Sequence, residues 1–146
     1  MIFRIYPFGA PTIRAVKKEA KHYQYDWTLV KDEGIKFENL VALHLLKDVY
    51  RMRDQFGREL ELRYFRDRDK REVDFVIQEN GTPLLFIECK LSKKNIGTSF
   101  KYLCKKFPEI PAKLVVFDEF DPFIDIKTKI EVLPAHIFLS FPFDGL

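Results

Sequence analysis

The stretch from Arg71 to Leu91 constrains this chain more than any other. It reads Arg-Glu-Val-Asp-Phe-Val-Ile-Gln-Glu-Asn-Gly-Thr-Pro-Leu-Leu-Phe-Ile-Glu-Cys-Lys-Leu. Two strand-like apolar runs flank Asn80-Gly81, a dipeptide suited to a tight hairpin turn because both residues tolerate positive φ. Each run carries charge where a core strand should be apolar. Asp74 sits between Val73 and Phe75, and Glu88 and Lys90 stand on either side of Cys89. Burying a charge is costly unless it is paired or bound to a metal. Three charges in one hairpin therefore predict a divalent-metal site for phosphodiester chemistry.

Whether these charges meet is a matter of register, because strand side chains alternate faces. With a two-residue turn at Asn80-Gly81, paired positions sum to 161 and Asp74 faces Ile87. One more residue, such as Thr82 in the loop, raises the sum to 162 and sets Asp74 against Glu88. A loop of odd length, or a bulge, is the expectation. Two facing carboxylates repel unless a protein cation, a shared proton or a metal neutralises them. Oxygen ligands with retained waters suit Mg²⁺ or Mn²⁺. Lys90 lies on the same face, two residues beyond Glu88. The competing explanation is a buried ion pair of Lys90 with Glu88 or Asp74.

Upstream, Asp32 suits a helix N-cap and Glu33 a first turn, where carboxylates meet the positive end of the helix dipole. The helix is predicted from Glu33 to Tyr50. At about 100° per residue, Ile35, Val41, Ala42, Leu45, Leu46 and Val49 form one apolar stripe. Glu38 falls at the centre of that stripe and joins the acidic cluster if the helix packs on the hairpin. Asn39 and His44 fall off the stripe and are expected to be solvated.

Residues 1–16 are apolar but broken by Pro7, Gly9 and Pro11. They read as an arm or a short edge strand, either a junction with a missing domain or a means of forming a homodimer. Residues 17–146 are then a single domain, long enough for a real core. His22 to Trp27 suits a short strand, and Glu59 to Arg66 an imperfect one. A helix is predicted from Asn95 to Phe107, stopped by Pro108. Lys113–Phe117 and Lys129–Leu133 read as strands, Asp118–Pro122 as a loop and Pro134–Leu139 as a turn of helix. This order predicts an α/β domain with a mixed sheet.

Charge matters here through its distribution, since the net value of +3 over 146 residues is mild. Arg51 to Arg71 holds eight basic and five acidic residues, and Cys89 to Lys106 holds six lysines and no acid. Asp118 to Asp125 holds four acids and no base, so a polyanion is drawn to the middle of the chain. The two cysteines make no disulfide framework and the three histidines have no zinc spacing. No apolar run approaches the roughly 18 residues of a membrane span. No secretory signal is evident, and a reducing, cytoplasmic setting is expected.

Glu38 on a first helix, Asp74 in a strand and Glu88-Cys89-Lys90 in the next resemble the PD-(D/E)XK nuclease superfamily. Four blocks narrow the likeness: His22-Tyr23-Gln24-Tyr25-Asp26-Trp27, Phe37-Glu38-Asn39-Leu40-Val41-Ala42-Leu43-His44-Leu45-Leu46-Lys47, Arg71-Glu72-Val73-Asp74-Phe75-Val76 and Ile87-Glu88-Cys89-Lys90. Together they are similar to an uncharacterised domain found C-terminal to the AAA-type module of many prokaryotic ATPases. The resemblance covers about Lys17 to Phe120. It implies a restriction-endonuclease-like αβββαβ core with a mixed central sheet flanked by helices. It also implies catalytic roles for Asp74, Glu88 and Lys90, with Glu38 as the helix acid and the Cys89 backbone carbonyl as a further metal ligand. No GxxxxGK[ST] loop occurs in the sequence, so ATP binding by this chain is not expected.

The expected function is that of a Mg²⁺- or Mn²⁺-dependent nuclease acting on DNA. Arg66, Arg68, Lys70 and Arg71, with Lys93 and Lys94 beyond the hairpin, are the expected phosphate contacts. The alternatives are a non-catalytic nucleic-acid- or partner-binding module, and a docking domain whose acidic cluster is only a buried network.

Overall fold

The hairpin supplies the middle of the sheet, and the rest of the fold is assembled on its two faces. The computed structural model describes residues 1–9, 20–93 and 95–146. Its strands are β1 (Ile2–Pro7), β2 (Lys21–Gln24), β3 (Leu60–Arg66), β4 (Glu72–Glu79), β5 (Thr82–Lys90), β6 (Ala112–Val116), β7 (Phe123–Ile124) and β8 (Glu131–Pro134). The helices are α1 (Glu33–Phe56), α2 (Thr98–Lys106) and α3 (Ala135–Ser140), and a 3-10 turn spans Trp27–Leu29. From Glu33 to Val116 the order is α-β-β-β-α-β. Among the described residues, eight strands form one mixed sheet, ordered β2-β1-β3-β4-β5-β6-β8-β7. The β3-β4-β5 meander is antiparallel, whereas β5, β6 and β8 run parallel.

Residues 2–7 are not a free arm or an edge strand. They form β1, between β2 and β3, with Phe3 and Ile5 buried. Burial alternates along it, with Phe3, Ile5 and Pro7 turned inward, as in a strand with one buried face. Residues 10–16 of the expected arm lie outside the described residues.

Helix α1 begins where Asp32 Oδ1 accepts a hydrogen bond from the Ile35 amide at 2.9 Å. It ends at Gly57, whose φ of 64° closes it in the left-handed conformation. The helix runs six residues past the expected end at Tyr50, because no glycine or proline intervenes before Gly57. Its buried face carries Phe37, Val41, Ala42, Leu45, Val49 and Met52 against β3, β4 and β5. Ile35 is 58% exposed and leaves the predicted stripe, whereas Asn39, expected to be solvated, is 3% exposed. Helix α2 covers the opposite face, where Phe100 and Leu103 meet Val73, Val76, Phe86 and Leu114.

The turn is a two-residue one, with φ of 51° at Asn80 and 78° at Gly81. Thr82 pairs with Glu79 and so belongs to β5 rather than to the loop. The odd residue comes from a bulge: Gln78 pairs with Pro83 and Ile77 with Leu85, leaving Leu84 unpaired. Beyond it the pairs sum to 162, and the same register carried onward sets Asp74 opposite Glu88. A second irregularity was not legible in the hairpin. Between Arg63–Val76 and Phe65–Val73 the β3–β4 ladder shifts by one, so that Asp74 and Phe75 together oppose Tyr64. Val73 accordingly packs beneath α2 and Phe75 beneath α1, although two residues apart in a strand normally share a face.

Candidate functional site

Glu38 of α1, Asp74 of β4, and Glu88, Cys89 and Lys90 of β5 line one cleft of about 630 Å³. Asp32 and Gly34 at the start of α1, and Ser92 and Asn95 after β5, close its rim. The residues gathered by sequence pattern are thus gathered in space.

Each carboxylate is held differently. Asp74 Oδ2 accepts a hydrogen bond from the Cys89 amide at 2.8 Å, which ties β4 to β5 at the end of the hairpin away from the turn. Glu38 Oε1 accepts from the Tyr23 hydroxyl at 2.6 Å, with the Lys21 ammonium at 3.6 Å. Glu88 Oε2 is buried with no hydrogen-bond partner among the described residues. It lies against Gly97, the residue before α2, where an added Cβ would stand only 3.1 Å away. Gly97 therefore leaves room for the Glu88 carboxylate; its value lies in the missing side chain.

The electrostatics follow from burial. Desolvation, then the charge of Glu38, push the Asp74 carboxyl up to about 8; the Cys89 amide opposes this and Glu88 adds to it. Burial raises Glu88 to about 7, with Lys90 opposing and Glu38 reinforcing. Burial also lifts the Tyr23 hydroxyl well above its usual range, and Glu38 adds to that shift. For Lys21 burial works the other way, but Glu38 and Glu72 outweigh it and hold the ammonium above its ordinary pKa. The Cys89 thiol is driven well above its ordinary value, mainly by burial, and so stays protonated.

Lys21 and Tyr23 were not among the predicted site residues. Both lie on β2, and the signal available was the alternation of Lys21 and Tyr23 along one short strand. Asn39 explains how β2 is brought there. Its Oδ1 accepts from the Gln24 amide at 2.8 Å, and its Nδ2 donates to the Gln24 carbonyl at 2.7 Å. That clasp joins α1 to β2 beside Glu38.

Among the described residues, no group of three or more His, Cys, Asp or Glu side chains is arranged to hold a metal ion. The donor chemistry nonetheless suits a hard divalent cation, with an unpartnered buried oxygen on Glu88 and a weakly matched carboxylate on Asp74. The polypeptide as it stands spends Glu38 on Tyr23 and Lys21.

The predicted phosphate contacts are only partly available. Arg71 donates to Asp67 and Asp69, both at 2.9 Å, and stacks over the Tyr102 ring at 4.0 Å. Arg66 pairs with Glu72 at 3.6 Å, and Glu72 also pairs with Lys21. Arg68 and Lys70 are exposed and form no ion pair among the described residues, and Lys93 stands over Phe120 at 4.6 Å. Lys94 lies outside the described residues. No helix among the described residues is long and apolar enough to cross a membrane.

No curated protein and no solved structure gives a significant match to this chain. The chain belongs to the family described as Domain of unknown function (DUF4143), found C-terminal to ATPase modules, whose model matches residues 33–138.

Proposed function

We propose that this domain is a divalent-metal-dependent nuclease of PD-(D/E)XK type, with a restriction-endonuclease-like core, acting on DNA phosphodiesters. The observation that carries this reading is the convergence of Glu38, Asp74, Glu88 and Lys90, from three separate elements, on one open cleft. A cleft that keeps carboxylates half-desolvated is poised to gain from a cation, because neutralisation relieves both burial and repulsion.

Asp74 and Glu88, with the Cys89 carbonyl and Glu38, would hold Mg²⁺ or Mn²⁺. When bound, such an ion supplies Lewis acidity toward the phosphate and lowers the pKa of water. Lys90 contributes a fixed positive charge beside Glu88, suited to orienting the attacking water and to offsetting the charge that develops on phosphate. Tyr23 and Lys21 hold Glu38 against the cleft wall. Cys89 holds Asp74 through its amide.

Incubation of the purified chain with DNA and either Mg²⁺ or Mn²⁺ tests the reading. Cleavage is expected with metal and not with chelator, and Asp74→Asn, Glu88→Gln and Lys90→Met each reduce it by roughly 100-fold or more. Wild-type cleavage in these variants, or metal binding unchanged by Asp74→Asn with Glu88→Gln, rejects it. One observation favours a second reading, a non-catalytic binding module: Glu38 is already engaged by Tyr23 and Lys21 and no three side chains form a metal group among the described residues. Salt-sensitive DNA binding without cleavage under either metal selects that alternative.

A further inference from the structure

Of the basic residues nearest the hairpin, Arg66 and Arg71 are neutralised by their own neighbours, which directs attention to the lysines elsewhere. On the α2 side of the sheet lie two more clefts. The smaller, about 220 Å³, is bordered by Lys93, Asn95, Lys101, Asp125, Lys127 and Thr128 among others. The larger, about 630 Å³, takes in Lys101, Lys105, Lys127 and Lys129, with Glu109 at its edge.

These clefts are not separate features. Lys101, Lys127 and Thr128 border both of them. Asn95 borders the smaller one and also the carboxylate cleft. Three adjoining clefts therefore run from Glu88 and Lys90, past Asn95, to Lys105 and Lys129.

Beyond Lys90, the lysines Lys93, Lys101, Lys105, Lys127 and Lys129 are exposed, and none makes an ion pair with a described residue. Of the two acids beside them, Asp125 is held by Thr128 and also faces the Lys101 charge: its Oδ2 accepts from the Thr128 amide at 2.8 Å and from the Thr128 hydroxyl at 2.6 Å. The Lys129 amide donates to the Asp125 carbonyl at 2.8 Å, so the turn that presents Lys127 and Lys129 is braced. Lys101 and Lys105 lie one turn apart on α2, a rise of about 6 Å. Unpaired cations in a row along a groove attract a polyanion, and a groove fits a strand backbone better than a flat lipid surface.

We infer that Lys101, Lys105, Lys127 and Lys129, continued by Lys93, form a track for the sugar-phosphate backbone of DNA that feeds the carboxylate cleft. The choice of DNA as the ligand rests on the nuclease reading above. Phosphate contacts of this kind position a substrate without reading its sequence.

The test is fluorescence anisotropy of the whole chain with a labelled DNA duplex, in chelator, over a series of salt concentrations. The variant Lys101→Gln/Lys105→Gln/Lys127→Gln/Lys129→Gln changes only exposed side chains, and circular dichroism and thermal melting verify its fold. Its plot of log K against log salt is expected to be shallower by about 3–4, the loss of four phosphate contacts. The variant Arg68→Gln/Lys70→Gln is expected to change the slope by less. An unchanged slope in the quadruple variant overturns the track, as does a wild type that binds no duplex. Binding to anionic phosphatidylserine vesicles in preference to DNA also overturns it. A parallel cleavage assay separates the two ideas. Lysine-dependent binding without metal-dependent cutting rejects the nuclease reading and keeps the track, whereas cutting with binding unaltered in the quadruple variant does the reverse.

Discussion

The two ends of β4 treat a carboxylate in opposite ways. At the turn end, Glu79 receives two hydrogen bonds from Arg58, at 2.9 and 2.8 Å, and its pKa falls. At the other end, Asp74 receives one amide hydrogen bond, faces two further carboxylates, and is pushed up to about 8. The same chain supplies a matching arginine where the acid is structural and withholds one where the acid lines a cleft. Strain of this kind, kept in a cavity that opens to solvent, is what a binding site requires and a core does not.

The contrast is most exposed to attack at Asp74. A carboxyl raised in the folded state binds its proton more tightly there than in the unfolded chain, so stability falls as pH rises from about the ordinary 3.8 toward 8. Asp74→Asn keeps an acceptor for the Cys89 amide and removes the charge. In chelator it is expected to stabilise the protein at pH 8 by about 2–3 kcal/mol, and to have little effect near pH 4. Urea unfolding at both values measures this; destabilisation at pH 8 would break the contrast. Next comes the clasp that holds α1 over the cleft. Asn39→Ala leaves the Gln24 amide and carbonyl without their partners and should cost about 2 kcal/mol, read from the same urea curves. A change within error would mean that Glu38 is positioned without it. The smallest effect is at the turn end. Glu79→Gln should lower the melting temperature slightly at neutral pH, less than either change above, because solvent screens a surface pair. Since the Glu79 pKa is lowered on folding, that small loss disappears as pH falls through its folded value. A loss as large as that of Asn39→Ala would show that the two ends differ less than their geometry implies.

How much of this was legible beforehand can be read from particular residues. The apolar runs Val73–Ile77 and Leu84–Ile87 locate both strands, and Asp74, Glu88 and Lys90 stand out because they put charge into those runs or directly after them. Register was legible only as a condition, an odd residue somewhere in the hairpin. Leu84 supplies it, and nothing in Pro83-Leu84-Leu85 marks which residue bulges. Helical periodicity sees one buried face and leaves Asn39 off it, whereas β2 approaches α1 from the side and gives the amide two backbone partners. At the turn Arg66–Arg71, a count of charges does not distinguish a guanidinium free for phosphate from one committed to Asp67 and Asp69.

By itself, then, the sequence determined the hairpin, the helix bearing Glu38 and the identity of the acids and lysine that share the cleft. These follow from local rules, in which period and punctuation act over a few residues. Tertiary structure alone decided that β1 enters the sheet and that Lys21 and Tyr23 engage Glu38. It also decided that Gly97 makes space for Glu88 and that lysines from α2 and the 125–129 turn line one cleft. These depend on contacts between residues distant in the chain, whose free energies are settled by packing and desolvation after the local elements exist. For the hairpin of residues 71–91 the outcome is specific: its charges share one face because one leucine steps out of register.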